Sequence, residues 1–317
     1  YLRQFARDAA ACAGPVFLRF ASEMNGNWTN YHNDPALYRA KFRLVHDVMA
    51  RWAPNVAMMW CVYEVPEYNI DSYYPGDAYV DWVGINIYSV LHHNNSAGDV
   101  SEYENPASML KYIYNHYASR KPIAICEYAA SHRESMATSI DCSRFAKGKL
   151  ADIFTALPRK FPRVKLIDIF DCNNIKYGRQ GRQVNDYCVT DDPGVLNEFQ
   201  RLVASDYYLS SVVNGPQAQL PQEIQPLQQS TTLRDPIRLT AWVKSYENQP
   251  IVTYWLDGKK LASFNTPGEY PINLEFARIG PGVHKLRLEA LDAAGKTAAS
   301  KEATLSLPGV QKGSVPT

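Results

Sequence analysis

Two kinds of hydrophobic pattern divide this chain. Up to about residue 213, unbroken apolar runs of strand length are separated by segments with an apolar residue every three or four positions. Unbroken runs predict parallel strands that are buried on both faces, and the helical spacing predicts helices between them. After residue 236, apolar and polar residues alternate, which predicts strands with one buried face.

The first pattern predicts strands and helices in alternation. The predicted strands are residues 16–20, 56–61, 83–88, 122–127 and 165–171, and the predicted helices are residues 2–13, 35–52, 106–119, 143–157 and 193–204. Such alternation predicts a parallel sheet of the α/β class. Polar side chains follow the strand ends, as at the active-site face of a (β/α)8 TIM barrel. A doubly wound sheet also binds ligands there, but the sequence has no glycine-rich nucleotide motif.

Domain boundaries follow from the change of pattern. Residues 1–213 are predicted to form the C-terminal five βα units of a barrel, so we expect about three more units to precede Tyr1. Residues 214–236 are rich in Gln and Pro and predict a linker. Residues 237–308 predict a small immunoglobulin-like β-sandwich, followed by a polar tail at 309–317.

Composition narrows the range of partners. The formal net charge of +1 argues against nucleic acid or an anionic membrane as the main partner, and no apolar run is long enough to span a bilayer. The six cysteines have no spacing typical of zinc, and neither a metal site nor a cofactor is predicted. Cys172 and Cys188 flank a polar loop and are candidates for a disulfide, whereas Cys61 and Cys126 fit buried thiols.

Two glutamates carry the candidate chemistry. Glu23 ends the first apolar run, in the segment VFLRFASEMNGNW, and Glu127 ends the fourth. Because parallel strands end at one edge of a sheet, both carboxylates are expected at one cleft. Glycoside hydrolysis requires such a pair, in which one group protonates the leaving oxygen and the other attacks the anomeric carbon or activates water.

The residues around both glutamates resemble glycoside hydrolase family 26. The segment FLRFASEMNGNW is similar to that family's acid/base segment, YPGDAYVDWVGINIY to its sixth strand, and KPIAICE to its nucleophile strand. The likeness covers roughly residues 1–210 in consistent order. It implies a (β/α)8 barrel that hydrolyses β-glycans with retention and without a cofactor.

The resemblance assigns roles to individual residues. Glu23 is the implied acid/base and Glu127 the implied nucleophile, with carboxylates about 5–5.5 Å apart in a retaining enzyme. Tyr88 would hydrogen-bond the nucleophile, and Trp28 would stack on the sugar. Arg19 could orient a carboxylate or form a structural ion pair. The other expected substrate contacts are Asn25, Trp60, Tyr63, Phe170 and Asp171.

Two departures from the family pattern concern the substrate. Many mannanases have histidine before the acid/base, where this chain has Ser22. They often have tryptophan on the eighth strand, where this chain has Phe170, Asp171 and Asn173. The sequence predicts an endo-acting retaining β-glycan hydrolase that is most similar to β-1,4-mannanases. A β-1,3-1,4-glucanase, a xylanase and a non-catalytic polysaccharide-binding surface protein are the alternatives.

A β-linked polysaccharide is therefore the expected partner. We expect a secreted or cell-surface protein, with attachment through modules outside this sequence. In the predicted sandwich, Trp242, Tyr254 and Trp255 are candidates for a glycan-stacking patch, with core packing as the alternative.

Overall fold

The computed structural model describes most of the chain. The described residues are 1–137, 142–209, 211, 224–244, 250–266, 268–292 and 294–308. The first ten residues of the predicted linker, 214–223, and the predicted tail lie outside the described residues.

The part of the chain before the linker alternates strands and helices as predicted. Its strands are β1 (Val16–Arg19), β2 (Val56–Tyr63), β3 (Trp82–Ser89), β4 (Ile123–Ala130), β5 (Arg133–Glu134), β6 (Val164–Ile169) and β7 (Asn185–Asp186). Its helices are α1 (Leu2–Ala10), α2 (Pro35–Trp52), α3 (Pro106–Met109), α4 (Lys111–Tyr117), α5 (Ser143–Lys160), α6 (Asn174–Tyr177) and α7 (Pro193–Val203), with 3-10 turns at Glu67–Tyr73, His93–Asn95 and Ser135–Ala137. All five predicted strands form, whereas the predicted helix 106–119 is two helices divided at Leu110.

Helix starts follow from capping residues in the sequence. Asp34 caps α2 by accepting a hydrogen bond from the Leu37 N–H at 2.9 Å, and Pro35 takes the first helical position. Asp192 caps α7 in the same way, by accepting from the Val195 N–H at 2.8 Å. These two caps mark the residues at which α2 and α7 begin.

Five parallel strands form the central sheet, in the order β1-β2-β3-β4-β6. Most apolar residues of β2, β3 and β4 are buried, as expected for strands covered on both faces. The sheet is curled into a half-barrel, which fits part of a (β/α)8 fold. Within the described residues, β1 and β6 are its two edge strands.

The part after the linker is built from two small sheets around one core. Its elements are β8 (Ser230–Thr232), β9 (Ile237–Leu239), β10 (Ile251–Leu256), β11 (Lys259–Phe264), β12 (Ile272–Leu274), α8 (Phe276–Ile279), β13 (Gly282–Leu291) and β14 (Thr297–Leu307). The larger sheet has the order β11-β10-β13-β14-β8, and β12 pairs with β9. Most pairs are antiparallel, while β14 and β8 run parallel. The immunoglobulin-like topology stays a prediction.

This β part contacts the half-barrel through α5. The Trp242 indole N–H donates to the Asp152 carbonyl at 3.1 Å, and the ring packs against the main hydrophobic core. The buried guanidinium of Arg159 donates from Nε to Thr240 at 3.1 Å and lies 3.4 Å from the Glu269 carboxylate. The predicted glycan patch is therefore not formed, because Trp242 lies in this contact and Tyr254 is buried in the core of the β part.

Candidate active site

Alternation along the strands gives the central sheet a helix-facing side and an inner side. On β2, Trp60 and Val62 pack in the main core, whereas Met59 and Cys61 belong to a separate cluster on the inner side. Since successive side chains point to opposite faces, Tyr63 falls on the inner side with Cys61. The inner side carries the candidate catalytic residues.

The prediction that Trp60 contacts substrate is wrong. Its side chain is fully buried, with ring centroids 4.9 Å from Tyr74 and 5.4 Å from Tyr117. An odd separation of three positions from Tyr63 puts the two side chains on opposite faces of β2. Trp60 is therefore part of the core between the sheet and its helices.

Glu23 lies in the loop just after β1, in a backbone conformation that residues other than glycine seldom adopt. Its φ of 61° is in the left-handed region, and its N–H donates to the Cys61 carbonyl at 2.9 Å. The carboxylate accepts two hydrogen bonds: Oε1 from Asn86 Nδ2 at 2.6 Å and Oε2 from Trp28 Nε1 at 2.7 Å. Both oxygens are therefore held by side chains from other parts of the cleft.

Gly26 permits the contact between Trp28 and Glu23. A Cβ placed on Gly26 would lie 2.2 Å from Cζ2 of the Trp28 ring, so the indole packs directly against the glycine backbone. The Trp28 side chain is 42% exposed, which leaves part of the ring open to a ligand. The expected sugar-stacking residue is thus also a hydrogen-bond donor to the candidate acid/base.

Glu127 lies on β4 between a cation and a phenol. Its Oε1 accepts from Arg19 Nη2 at 2.6 Å, and its Oε2 accepts from the Tyr88 hydroxyl. Burial and the Glu127 charge raise the pKa of Tyr88, so Tyr88 keeps its proton and acts as a donor. The contact expected between Tyr88 and Glu127 is present in the structure, and Arg19 forms an ion pair with the same carboxylate.

A bulge in β4 brings Glu127 to the inner side. Ile85 pairs with Ile125, but the next residue, Asn86, pairs with Glu127, so Cys126 has no partner on β3. Cys126 packs in the inner cluster, and the extra residue gives the neighbouring Glu127 the same side. Arg19 Nη1 donates to the Cys126 carbonyl at 3.4 Å, at the position where the pairing of the ladder is broken.

Aromatic rings form a row along the same strand ends. The ring centroid of Tyr63 lies 5.0 Å from that of Trp28 and 6.2 Å from that of Tyr88. The ring centroid of Tyr88 lies 5.5 Å from that of Phe170 and 5.4 Å from that of Tyr187. Sugar rings have apolar faces that pack well on such surfaces. The structure thus places Trp28, Tyr63 and Phe170 in one row of rings that Tyr88 connects.

The side chains of Asn25 and Asp171 form hydrogen bonds with backbone groups of the protein itself. Asn25 is 3% exposed, donates to the carbonyls of Tyr63, Val65 and Pro66, and accepts from the Tyr63 N–H. It therefore shapes the loop after β2, and burial opposes the predicted sugar contact. Asp171 is exposed just past β6, where it accepts from the Val189 N–H at 2.7 Å.

Three residues near the site were not predicted from the sequence. Asn86 lies two positions before Tyr88 on β3, so the period of two indicates the same face. The Tyr31 hydroxyl donates to the Ser22 carbonyl at 2.6 Å, and burial and the Glu23 charge raise its pKa. Tyr187 comes from a distant loop, and no local pattern in the sequence signals its position.

Glu64 is a further carboxyl group beside the cleft. It follows Tyr63, is 6% exposed, and its Oε2 has no hydrogen-bond partner. Burial raises its pKa to about 8, so it is protonated at neutral pH. Glu64 therefore adds no charge to the site in that range.

The described residues contain neither a metal-binding cluster nor a helix that could span a membrane. Across them, no group of three or more His, Cys, Asp or Glu side chains is arranged to hold a metal ion. Among the described helices, none combines the length and apolar character needed to cross a membrane. Cys172 and Cys188, the candidates for a disulfide, are free thiols in the structure.

Two glutamates on the inner side of a half-barrel are the arrangement that glycoside hydrolysis requires. Residues 5–113 match the family model of glycosyl hydrolase family 26. The predicted family is thereby confirmed over these residues. The matched segment contains Glu23, Asn86 and Tyr88 and ends before Glu127.

Named relatives cover small parts of the molecule. A β-1,3-xylanase from Vibrio sp. and another from Alcaligenes sp. are each 35% identical to this chain over 83 residues, which is 24% of this chain and 17% of either relative. The chain therefore spans about a sixth of the length of these curated relatives.

Solved structures are similar at low identity. GH26C from Muricauda sp. matches over 65% of this chain and 54% of its own, with 16% identity and a TM-score of 0.48. A family 26 β-mannanase from Bacteroides ovatus matches over 64% and 56%, with 15% identity and a TM-score of 0.42.

Proposed function

We propose that this chain is part of an endo-acting β-glycan hydrolase that retains the anomeric configuration. The observation that carries the proposal is the joint placement of Glu23 and Glu127 on the inner side of one sheet, connected through Arg19 and Asn86. Each carboxylate has its own donors, and the two sets of donors differ in charge. This asymmetry suits two groups with different roles in one reaction.

Glu127 suits the nucleophile role. Arg19 and Tyr88 hold its two oxygens, so the carboxylate is oriented and its charge is stabilised before substrate binds. In the first step a Glu127 oxygen attacks the anomeric carbon and forms a glycosyl-enzyme ester. The bond to the leaving oxygen breaks in the same step.

Glu23 suits the acid/base role. Its donors, Asn86 and Trp28, are neutral, whereas one donor to Glu127 is the guanidinium of Arg19. As an acid it gives its proton to the leaving oxygen, and as a base it takes a proton from the water that then hydrolyses the ester. The exposed part of Trp28 and the aromatic row would hold the sugar rings on either side of the bond.

We propose β-1,4-mannan or β-1,3-xylan as the substrate. The family resemblance favoured mannan, and the named relatives that are 35% identical are β-1,3-xylanases. Ser22 at the position where many mannanases have histidine weighs against mannan. The two polymers differ in linkage, so the aromatic row would meet successive sugar rings at different angles.

The test measures sugar release by the full-length parent protein. We expect release from β-1,3-xylan or β-1,4-mannan, and loss of that activity by a factor of about 10⁴ or more in Glu127→Ala. The panel also includes mixed-linkage glucan and β-1,4-xylan. Proton NMR of the first product should show the β-anomer, as retention requires.

Controls separate chemistry from folding. Glu302→Ala changes an exposed carboxylate that pairs with Lys285 in the β part of the chain, so it should keep most of the activity. Binding of a glycan without release of sugar would contradict the enzymatic proposal and favour a non-catalytic binding protein. Full activity in Glu127→Ala would refute the assigned nucleophile.

A further inference from the structure

Asn86 joins the two carboxylates through side-chain hydrogen bonds. Its Nδ2 donates to Glu23 Oε1 at 2.6 Å, and its Oδ1 accepts from Arg19 Nη1 at 3.3 Å and from Cys61 Sγ at 3.2 Å. Through Nη2, the same guanidinium donates to Glu127 at 2.6 Å. A continuous series of polar contacts therefore leads from Glu23 to Glu127.

The charges of its neighbours fix the orientation of the Asn86 amide. The amide oxygen faces the guanidinium of Arg19, and the amide nitrogen faces the carboxylate of Glu23. A rotation by half a turn would set donor against donor and acceptor against acceptor. The amide therefore has one favourable orientation, and in that orientation its N–H points at Glu23.

The position of Asn86 is also fixed by its strand. It is 1% exposed in β3, which pairs with β2 on one side and β4 on the other. Just after the irregularity in β4, Asn86 is the direct partner of Glu127. A side chain on a central strand is more rigid than one on a loop, whereas Glu23 itself lies in a loop.

We propose that Asn86 is a positioning residue that holds the Glu23 carboxylate and couples it to the Arg19–Glu127 ion pair. The geometry stands by itself, and the catalytic consequence rests on the proposed function. Without Asn86, Glu23 loses the donor to its Oε1 and turns more freely. Proton transfer to the leaving oxygen then suffers, because it depends on the direction of that carboxylate.

The kinetic test compares two kinds of leaving group in the full-length protein. The leaving group of a polysaccharide is a sugar alkoxide, which needs a proton. The leaving group of a dinitrophenyl β-glycoside of the same sugar is dinitrophenolate, which departs readily without one. In Asn86→Ala we expect kcat/KM to fall about 10- to 100-fold on the polysaccharide and much less on the dinitrophenyl glycoside. Glu23→Ala gives the reference pattern for complete loss of the acid.

Asn55→Ala is the matched control. Asn55 also lies next to a strand of the sheet and donates through its side-chain amide to two carbonyls, those of Ala9 and Gly14. It is outside the cleft, so its replacement should affect both substrates equally, if at all. An equal loss on both substrates in Asn86→Ala would overturn the proposed action through Glu23.

A second measurement does not depend on activity. The indole N–H of Trp28 donates to Glu23, so its ¹H–¹⁵N NMR signal reports on the position of that carboxylate. The signal is assigned by its loss in Trp28→Phe. We expect it to shift in Asn86→Ala and in Glu23→Gln, and to stay in place in Asn55→Ala.

The two measurements separate the two proposals. A shifted indole signal in a protein that hydrolyses no glycan would uphold the positioning role and refute the proposed function. An unchanged indole signal in a folded Asn86→Ala variant would refute the positioning role, whatever the activity. Asn86→Asp gives a further check, because it keeps the shape and sets a second carboxylate against Glu23.

Discussion

Replacement of Gly26 by alanine should disconnect Trp28 from Glu23. The added Cβ would lie 2.2 Å from Cζ2 and 2.4 Å from Cε2 and Cη2 of the indole, which is far inside van der Waals contact. The ring must therefore move by more than 1 Å, on the order of the deficit from a normal carbon–carbon separation of about 3.5–4 Å. Since the indole is 42% exposed, it can move outward into solvent.

The size of the effect follows from the bond that is lost. The hydrogen bond from Trp28 Nε1 to Glu23 Oε2 is 2.7 Å long, and a bond to a charged group contributes about 1.5–3 kcal/mol. If that contribution is made in the transition state, kcat/KM falls by about 10- to 150-fold. The free energy of unfolding should fall by no more than about the same 1.5–3 kcal/mol, because an exposed ring is displaced and no core cavity forms.

The assay is a double-mutant cycle on the polysaccharide that the parent protein hydrolyses best. It compares Gly26→Ala, Trp28→Ala and the double variant, with Gly14→Ala as the control, because a Cβ at Gly14 meets nothing within 4 Å. If the glycine acts through the indole, Gly26→Ala has little further effect once Trp28 is alanine. Additive effects, or full activity in Gly26→Ala, would refute the reasoning.

Three other substitutions test a buried carboxyl group beside the cleft, a hydrogen bond within the site, and the contact between the half-barrel and the β part. In wild-type protein, burial raises the pKa of Glu64 from 4.5 to about 8 in the folded state. Between these two values the folded state binds a proton that the unfolded state has lost. The free energy of unfolding contributed by Glu64 therefore falls by about 1.4 kcal/mol for each unit by which the pH rises. Glu64→Gln should remove this dependence in urea unfolding, and an unchanged slope contradicts the assignment. Tyr88→Phe removes a donor to Glu127 and should lower kcat about 10- to 100-fold with little change in KM, whereas unchanged kcat argues against the contact. Trp242→Ala removes a half-buried ring and its bond to Asp152, so calorimetry should show a stability loss of about 2 kcal/mol, and no loss would contradict the docked arrangement.

The fold was predictable where local pattern and burial agree. The strands of the central sheet are unbroken apolar runs covered on both faces, and each predicted strand forms. Asp34 and Pro35 marked the start of α2 because both act through local backbone chemistry. The break at Leu110 between α3 and α4 has no such signal, since neither glycine nor proline follows it.

The alternation of side chains along a strand predicts which residues of the site share one face of the sheet. The period of two separates Trp60 from Tyr63 and joins Asn86 to Tyr88, and both conclusions were available from the sequence. Asn25 is different, because its burial depends on the loop after β2 folding back over it. Contacts of that kind depend on the complete fold and leave no trace in local spacing.

Both glutamates occupy places where the regular geometry of a strand ends. Glu23 has a left-handed backbone beyond β1, at a cost of about 1–2 kcal/mol, and Glu127 follows the unpaired Cys126. A regular β4 would turn Glu127 toward the helices, where Arg19 and Tyr88 could not reach it. The irregular backbone is stabilised by bonds that only the site supplies, from Glu23 N–H to the Cys61 carbonyl and from Arg19 to the Cys126 carbonyl. The same contacts that form the cleft thus maintain the departures from regular structure that the cleft requires.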